Sequence, residues 1–139
     1  EEGKRELAEV QKFVDSKNQE LEKLGKEVES LRSQIATQSD KLTEEALMEL
    51  QDQYEIKSTT LQRFQEDTQR QIDSLRTRAT NNVGRKMLPV IEKIAQERKL
   101  SSVMYLNATR DAYVDPSLII TEEVIKAYNQ AHPVAAQAR

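Results

Sequence analysis

The chain has 139 residues, of which 37% are hydrophobic, 32% charged and only 4% aromatic, with three Gly, three Pro and no Cys. That excludes an ordinary compact core, a Gly-rich nucleotide fold, a disulfide framework and any thiolate chemistry. The net charge of −3 is also the wrong sign for a protein built to grip a nucleic-acid backbone.

Helix is the natural use of such a composition. From Leu7 the positions Val10, Val14, Lys17, Leu21, Leu24, Val28, Leu31, Ile35, Gln38 and Leu42 follow an alternating three-four spacing, broken only by Lys17 and Gln38. This predicts a helix over 4–38 with one apolar stripe. After a tip at 39–43 the pattern restarts at Leu47, Leu50, Tyr54, Lys57, Leu61, Phe64, Thr68, Gln71 or Ile72, Leu75 and Ala79, then loosens through Val83, Met87, Val90, Ile91 and Ile94. Thr43 is the expected N-cap of this second helix, with Glu44 and Glu45 in its dipole-favoured first turn. A tip so short makes the two helices antiparallel neighbours. Polar Lys17 and Gln38 read as register markers.

The last third changes character. Ser102–Leu106 and Ala112–Val114 are β-prone runs joined by a turn-like Asn107–Asp111, which predicts a hairpin with Val103, Tyr105, Tyr113 and Val114 in its strands. Asp115 and Pro116 end it, and Thr121 is expected to cap a short helix to about Asn129. A lone hairpin is marginal in water, so more strands are required, from missing sequence or from other chains. The expected fold is mainly α: a coiled-coil hairpin (1–80), a small α+β oligomerisation head (81–130) and a flexible tail (131–139).

The run from Tyr113 to Leu118 (Tyr-Val-Asp-Pro-Ser-Leu), with Ile120, Thr121, Val124 and Asn129 behind it, resembles the C-terminal signature of the Skp/OmpH family of periplasmic chaperones. Ile119 stands where that family usually has Asp, and Lys99-Leu100 where relatives often close the long helix with Gly. The resemblance implies a jellyfish-shaped homotrimer: a β-barrel head shared by three chains, with helical tentacles enclosing a cavity. It implies an ATP-independent holdase in the periplasm that keeps unfolded outer-membrane β-barrel proteins from aggregating. Asp115, Pro116, Ser117, Leu118 and Thr121 would then form the head motif. The family's signal peptide and first strand, which precede helix one, are absent from this sequence, so the hairpin is expected to be short of partners.

Charge is uneven along the chain. Residues 43–60 carry five acids (Glu44, Glu45, Glu49, Asp52, Glu55) against Lys57 alone, whereas residues 76–99 carry seven bases against Glu92 and Glu97. Arg76, Arg78, Arg85 and Lys86 are candidate electrostatic contacts for clients, a membrane surface or lipopolysaccharide; cations that offset a helix dipole are the plainer explanation. Gly84 and Pro89 inside helix two are a hinge candidate, or else a static kink.

No catalytic, cofactor or metal site is expected. The acid pairs Glu44/Glu45 and Glu122/Glu123 fall in first helical turns, and His132, the sole histidine, has no ligand-spaced neighbours and is assigned to a disordered tail. A transmembrane span is excluded for want of a long apolar run. A coiled-coil tether without client binding is the alternative that the heptads alone would fit. A prefoldin-like arrangement is disfavoured, because there the hairpin lies between the helices.

Overall fold

The computed structural model describes residues 1–107 and 109–134. Among the described residues the elements are α1 (Glu2–Gln38), α2 (Glu44–Glu97), a 3-10 turn (Pro116–Leu118) and α3 (Thr121–Ala131). With 37 and 54 residues, α1 and α2 are about 55 and 80 Å long at 1.5 Å per residue. The chain divides into two compact units, one of Ala8–Arg76 and one of Glu1–Leu7 with Thr77–Arg139.

Within the Ala8–Arg76 unit the two helices form the expected antiparallel hairpin. Its tip is closed by main-chain bonds from Lys41 and Leu42 N–H to the Gln38 carbonyl at 2.9 and 3.1 Å. Thr43 caps α2 as expected, its Oγ1 accepting from Ala46 N–H at 3.3 Å. The seam follows the sequence stripe: Val10 and Thr68 are buried, and Leu21, Leu24, Val28, Leu31, Leu61, Phe64, Ile72 and Leu75 are half-buried. Ile72 rather than Gln71 fills the ambiguous position, and Gln38 lies exposed at the end of α1. A two-helix seam shields each side chain from one side only, so half-burial is the rule here and Val10 and Thr68 are the exceptions.

Lys17 occupies the middle of that seam. Its ammonium lies 5.8 Å from the Phe13 ring centre on α1 and 5.1 Å from that of Phe64 on α2, and it bonds Glu20 at 2.9 Å. The polar register position is thus satisfied by two cation–π contacts and a carboxylate. Lys57 pairs with Glu27 at 2.6 Å across the helices.

The other unit has a different interior. Its buried residues are Glu2, Ala79, Ile94, Val124 and Tyr128, contributed by α1, α2 and α3. The stripe is corrected at its start: Leu7 is 61% exposed, and the first turns of α1 present Glu2, Gly3 and Glu6 inward instead. The two acids meet polar partners, with Glu2 bonded to Lys86 and Tyr128 and Glu6 to Asn82. The apolar rule therefore fails where the neighbours are themselves polar.

α2 ends in a Schellman closure. Leu100 N–H donates to the Ala95 carbonyl at 2.9 Å and Lys99 N–H to that of Gln96 at 3.1 Å, with Lys99 in the left-handed region at φ 56°. Beyond it no strand is assigned among the described residues and no main-chain bond joins Ser102–Leu106 to Ala112–Val114, so the single chain does not confirm the expected hairpin. Two strands without neighbours bury too little to hold a ladder. The turn between them does form, with Asp111 N–H on the Asn107 carbonyl at 2.8 Å and Asn107 N–H on Asp111 Oδ2 at 2.9 Å; Ala108 lies outside the described residues.

α3 also starts differently from the expectation. Thr121 is its first helical residue and makes no cap; Ile120 holds the N-cap position without a side-chain bond. The 3-10 turn before it delivers the Ile120 carbonyl to Val124 N–H at 2.9 Å, so the helix begins one residue earlier than a Thr121 cap would require. It runs to Ala131, and His132 follows as C-cap, its ring centre 4.8 Å from that of Tyr128. Residues 135–139 of the expected tail lie outside the described residues.

Candidate functional site

Thirteen large hydrophobic side chains are exposed among the described residues, and eight of them fall between Leu100 and Ile119. Tyr105 is 81%, Tyr113 79% and Met104 75% exposed. The helices sequester most of their apolar residues and this segment does not, so it is the part of the chain that behaves as an unfinished surface. Its side chains surround a concavity of about 440 Å³ lined by Leu100, Met104, Tyr105, Tyr113, Leu118 and Ile120 among others.

The local sequence explains why Ser102–Leu106 is left unpaired. Val103-Met104-Tyr105-Leu106 is apolar at every position, so either face of a strand here would carry apolar groups. Among the described residues the backbone groups of Ser102–Leu106 are also left without ladder partners. Such a backbone is a template for another chain. Arg110 steadies the turn, donating to the Tyr105 carbonyl at 3.2 Å and to Asp111 at 2.9 Å. The Arg110 guanidinium, and then the Asn107 N–H, hold the Asp111 carboxyl below the usual carboxylate range.

Asp115 organises the exit from this segment. Its Oδ1 accepts from Ser117 N–H at 2.9 Å and Ser117 Oγ–H at 2.8 Å, which lowers its carboxyl pKa and fixes the 3-10 turn with Pro116 at its start. The motif residues Asp115, Pro116, Ser117 and Leu118 therefore sit together, with Leu118 68% exposed toward the same concavity. Thr121 lines its edge. Of the strand residues singled out from sequence, Val103, Tyr105 and Tyr113 are exposed and Val114 is half-buried. Sequence reasoning left Met104 and Leu106 unmarked; their signal was the absence of alternation in the run.

The basic residues divide. Arg76, Arg78 and Arg85 are exposed on α2, with Arg85 Nε–H reaching only the Asn81 carbonyl at 3.3 Å. Lys86 is committed to the buried Glu2 carboxylate. Gly84 is half-buried and Pro89 exposed, both inside a continuous α2, and a side chain at Gly84 would meet nothing within 4 Å. Among the described residues no group of three or more acids or histidines is placed to hold a metal, and no helix is long and apolar enough to cross a membrane.

No curated protein and no solved structure matches the chain. A family model described as outer membrane protein (OmpH-like) matches residues 1–128, taking in both long helices, the exposed apolar segment, the Asp115 turn and most of α3. With that match spanning nearly all of its length, the chain belongs to the OmpH-like outer membrane protein family.

Proposed function

We propose that this chain is one protomer of a homotrimeric, ATP-independent holdase that shelters unfolded outer-membrane β-barrel proteins in the periplasm. The family is in general one of non-enzymatic periplasmic chaperones whose members oligomerise and bind outer-membrane protein clients. What carries the reading for this chain is the concentration of exposed apolar side chains between Leu100 and Ile119, with the main-chain groups of Ser102–Leu106 left without ladder partners among them. In the proposed trimer these segments complete one another as a β-structured head, with Val103, Tyr105, Tyr113 and Val114 in its strands and the Asp115–Leu118 turn at its rim. The helical pair of Ala8–Arg76 is the proposed cavity wall: charged, apolar only along its own seam, and suited to holding a client through many weak contacts. Arg76, Arg78 and Arg85 are the proposed electrostatic contacts for clients, a membrane surface or lipopolysaccharide, and Gly84 with Pro89 the proposed hinge.

A plain coiled-coil tether has no use for an apolar surface at one end, which is why the chaperone reading is preferred. The test is a mass measurement in solution followed by dilution of a urea-unfolded barrel protein into a several-fold molar excess of trimer without nucleotide. A trimer that suppresses light scattering is the expected result. A trimer without effect on scattering would leave the tether, and a monomer without effect would sink the reading, since head formation is tied to concentration by mass action.

A further inference from the structure

Glu2 is an unusual residue to find 5% exposed, because a buried carboxylate is costly unless paired and hydrogen-bonded. Here three helices meet at it. Tyr128 on α3 donates its hydroxyl to Glu2 Oε2 at 2.7 Å, and Lys86 on α2 donates to Oε1. The other titratable groups facing this point are Glu6, one turn further along α1 and bonded by Asn82 of α2 at 3.1 Å, and His132, whose ring packs on Tyr128. An apolar residue at position 2 could pack against the Tyr128 ring without any desolvated charge. The arrangement instead makes the hold on α3 depend on ionisation.

We propose that Glu2 is an acid-sensitive latch: ionised, it fastens α3 to α1 and α2, and protonated, it lets α3 go. Selectivity for α3 comes from the geometry. α1 and α2 remain joined beside Glu2 by the Asn82 amide donating to Glu6 at 3.1 Å, a bond that a carboxyl oxygen can accept in either protonation state. The Tyr128 hydroxyl reaches the cluster through Glu2, and its charge-assisted bond is the one that is lost. α3 then keeps Val124, the Arg98–Glu123 ion pair at 2.7 Å and the bond from the Glu1 amino group to Asn129 Oδ1 at 3.0 Å among its remaining holds.

The sign follows from the carboxyl. The bond from Lys86, and secondarily that from Tyr128, lowers the Glu2 pKa from its ordinary 4.5 against the opposing effect of burial. A lowered carboxyl stabilises the docked state fully above 4.5, and that contribution fades as pH falls through the folded-state pKa. One proton is linked to release, so docking weakens by at most about tenfold per pH unit in that range.

The experiment is amide hydrogen exchange on the full chain, corrected for intrinsic rates, read separately for α3 and for the helices of Ala8–Arg76 between pH 7 and pH 3. Wild type is expected to lose α3 protection below pH 4.5 ahead of any loss in Ala8–Arg76. Glu2→Gln is expected to show weakened α3 protection already at pH 7 and a markedly smaller acid step, with Ala8–Arg76 unaffected. Tyr128→Phe, which keeps the ring and removes the donor, is expected to flatten the acid step as well. Equal α3 protection in wild type and Glu2→Gln at pH 7 overturns the latch, as does the same acid step in either variant. Simultaneous loss in Ala8–Arg76 also overturns it, because Glu2 would then be a general fold contact.

Discussion

The helical pair of Ala8–Arg76 and the segment Leu100–Ile119 have opposite relations to their own apolar residues. In the pair, every stripe position from Val10 to Ile35 is buried or half-buried, and the large hydrophobics left exposed are Met48 and Ile56. In the segment, eight such side chains stand in the open within twenty residues. The first region is self-sufficient and the second is not. Charge follows the same division: the solvent faces of the helices are rich in Glu, Lys and Arg, whereas Val103–Leu106 contains no charged residue at all. A chain that must stay soluble while offering an assembly surface does best to gather its apolar exposure in one place.

The largest test of that contrast is to make the segment resemble a solvated surface. Tyr105→Asp combined with Leu106→Asp is expected to raise the dissociation constant for self-association by a hundredfold or more, since buried aromatic anchors at interface centres are worth about 2–4 kcal/mol each. Sedimentation velocity across a concentration series reads this directly. Far-ultraviolet helicity should stay close to wild type, because neither residue belongs to α1, α2 or α3. If the variant self-associates as wild type does, the exposed segment is not the assembly surface.

A smaller effect sharpens the self-sufficient side. Lys17→Ala removes the cation held near Phe13 and Phe64, two contacts worth about 0.5–1 kcal/mol each at partly exposed sites. The expected loss is about 1 kcal/mol in denaturant unfolding, largely restored by Lys17→Arg. Lys17→Arg as destabilised as the alanine variant would show that the lysine contributes through its stem, not its charge.

The two regions were also unequally legible in the sequence. A three-four repeat fixes which face of a helix is buried whatever the partner, so the seam from Val10 through Ile94 could be read position by position. The reading failed at Leu7, because nothing local reveals that the first turn of α1 faces Lys86 and Tyr128, both remote in sequence. It failed differently at Ser102–Val114. There β-propensity predicted a hairpin, but a ladder depends on neighbouring strands, and none is assigned among the described residues. Tyr128 had no signal beyond its place on the short helix. Burial, followed by the bond to Glu2, pushes its hydroxyl up to about 12, a property of three helices meeting.

Lys99 marks the boundary between the two behaviours, and it carries the smallest and most exact prediction. α2 stops there through a left-handed residue, a conformation that costs a side-chain-bearing residue about 1–2 kcal/mol and glycine almost nothing. Glycine gives part of that back through its freer unfolded chain, by roughly 0.5–1 kcal/mol. Lys99→Gly is therefore expected to stabilise by a few tenths to about 1 kcal/mol, seen as a raised denaturant midpoint at unchanged slope. Self-association should be untouched, since the substitution relieves the turn and leaves Val103–Leu106 as it is. Lys99→Ala keeps the Cβ and the strained φ and should gain nothing. If alanine stabilises as much as glycine, the gain comes from removing a cation, and the backbone at Lys99 is not where the helix holds its strain.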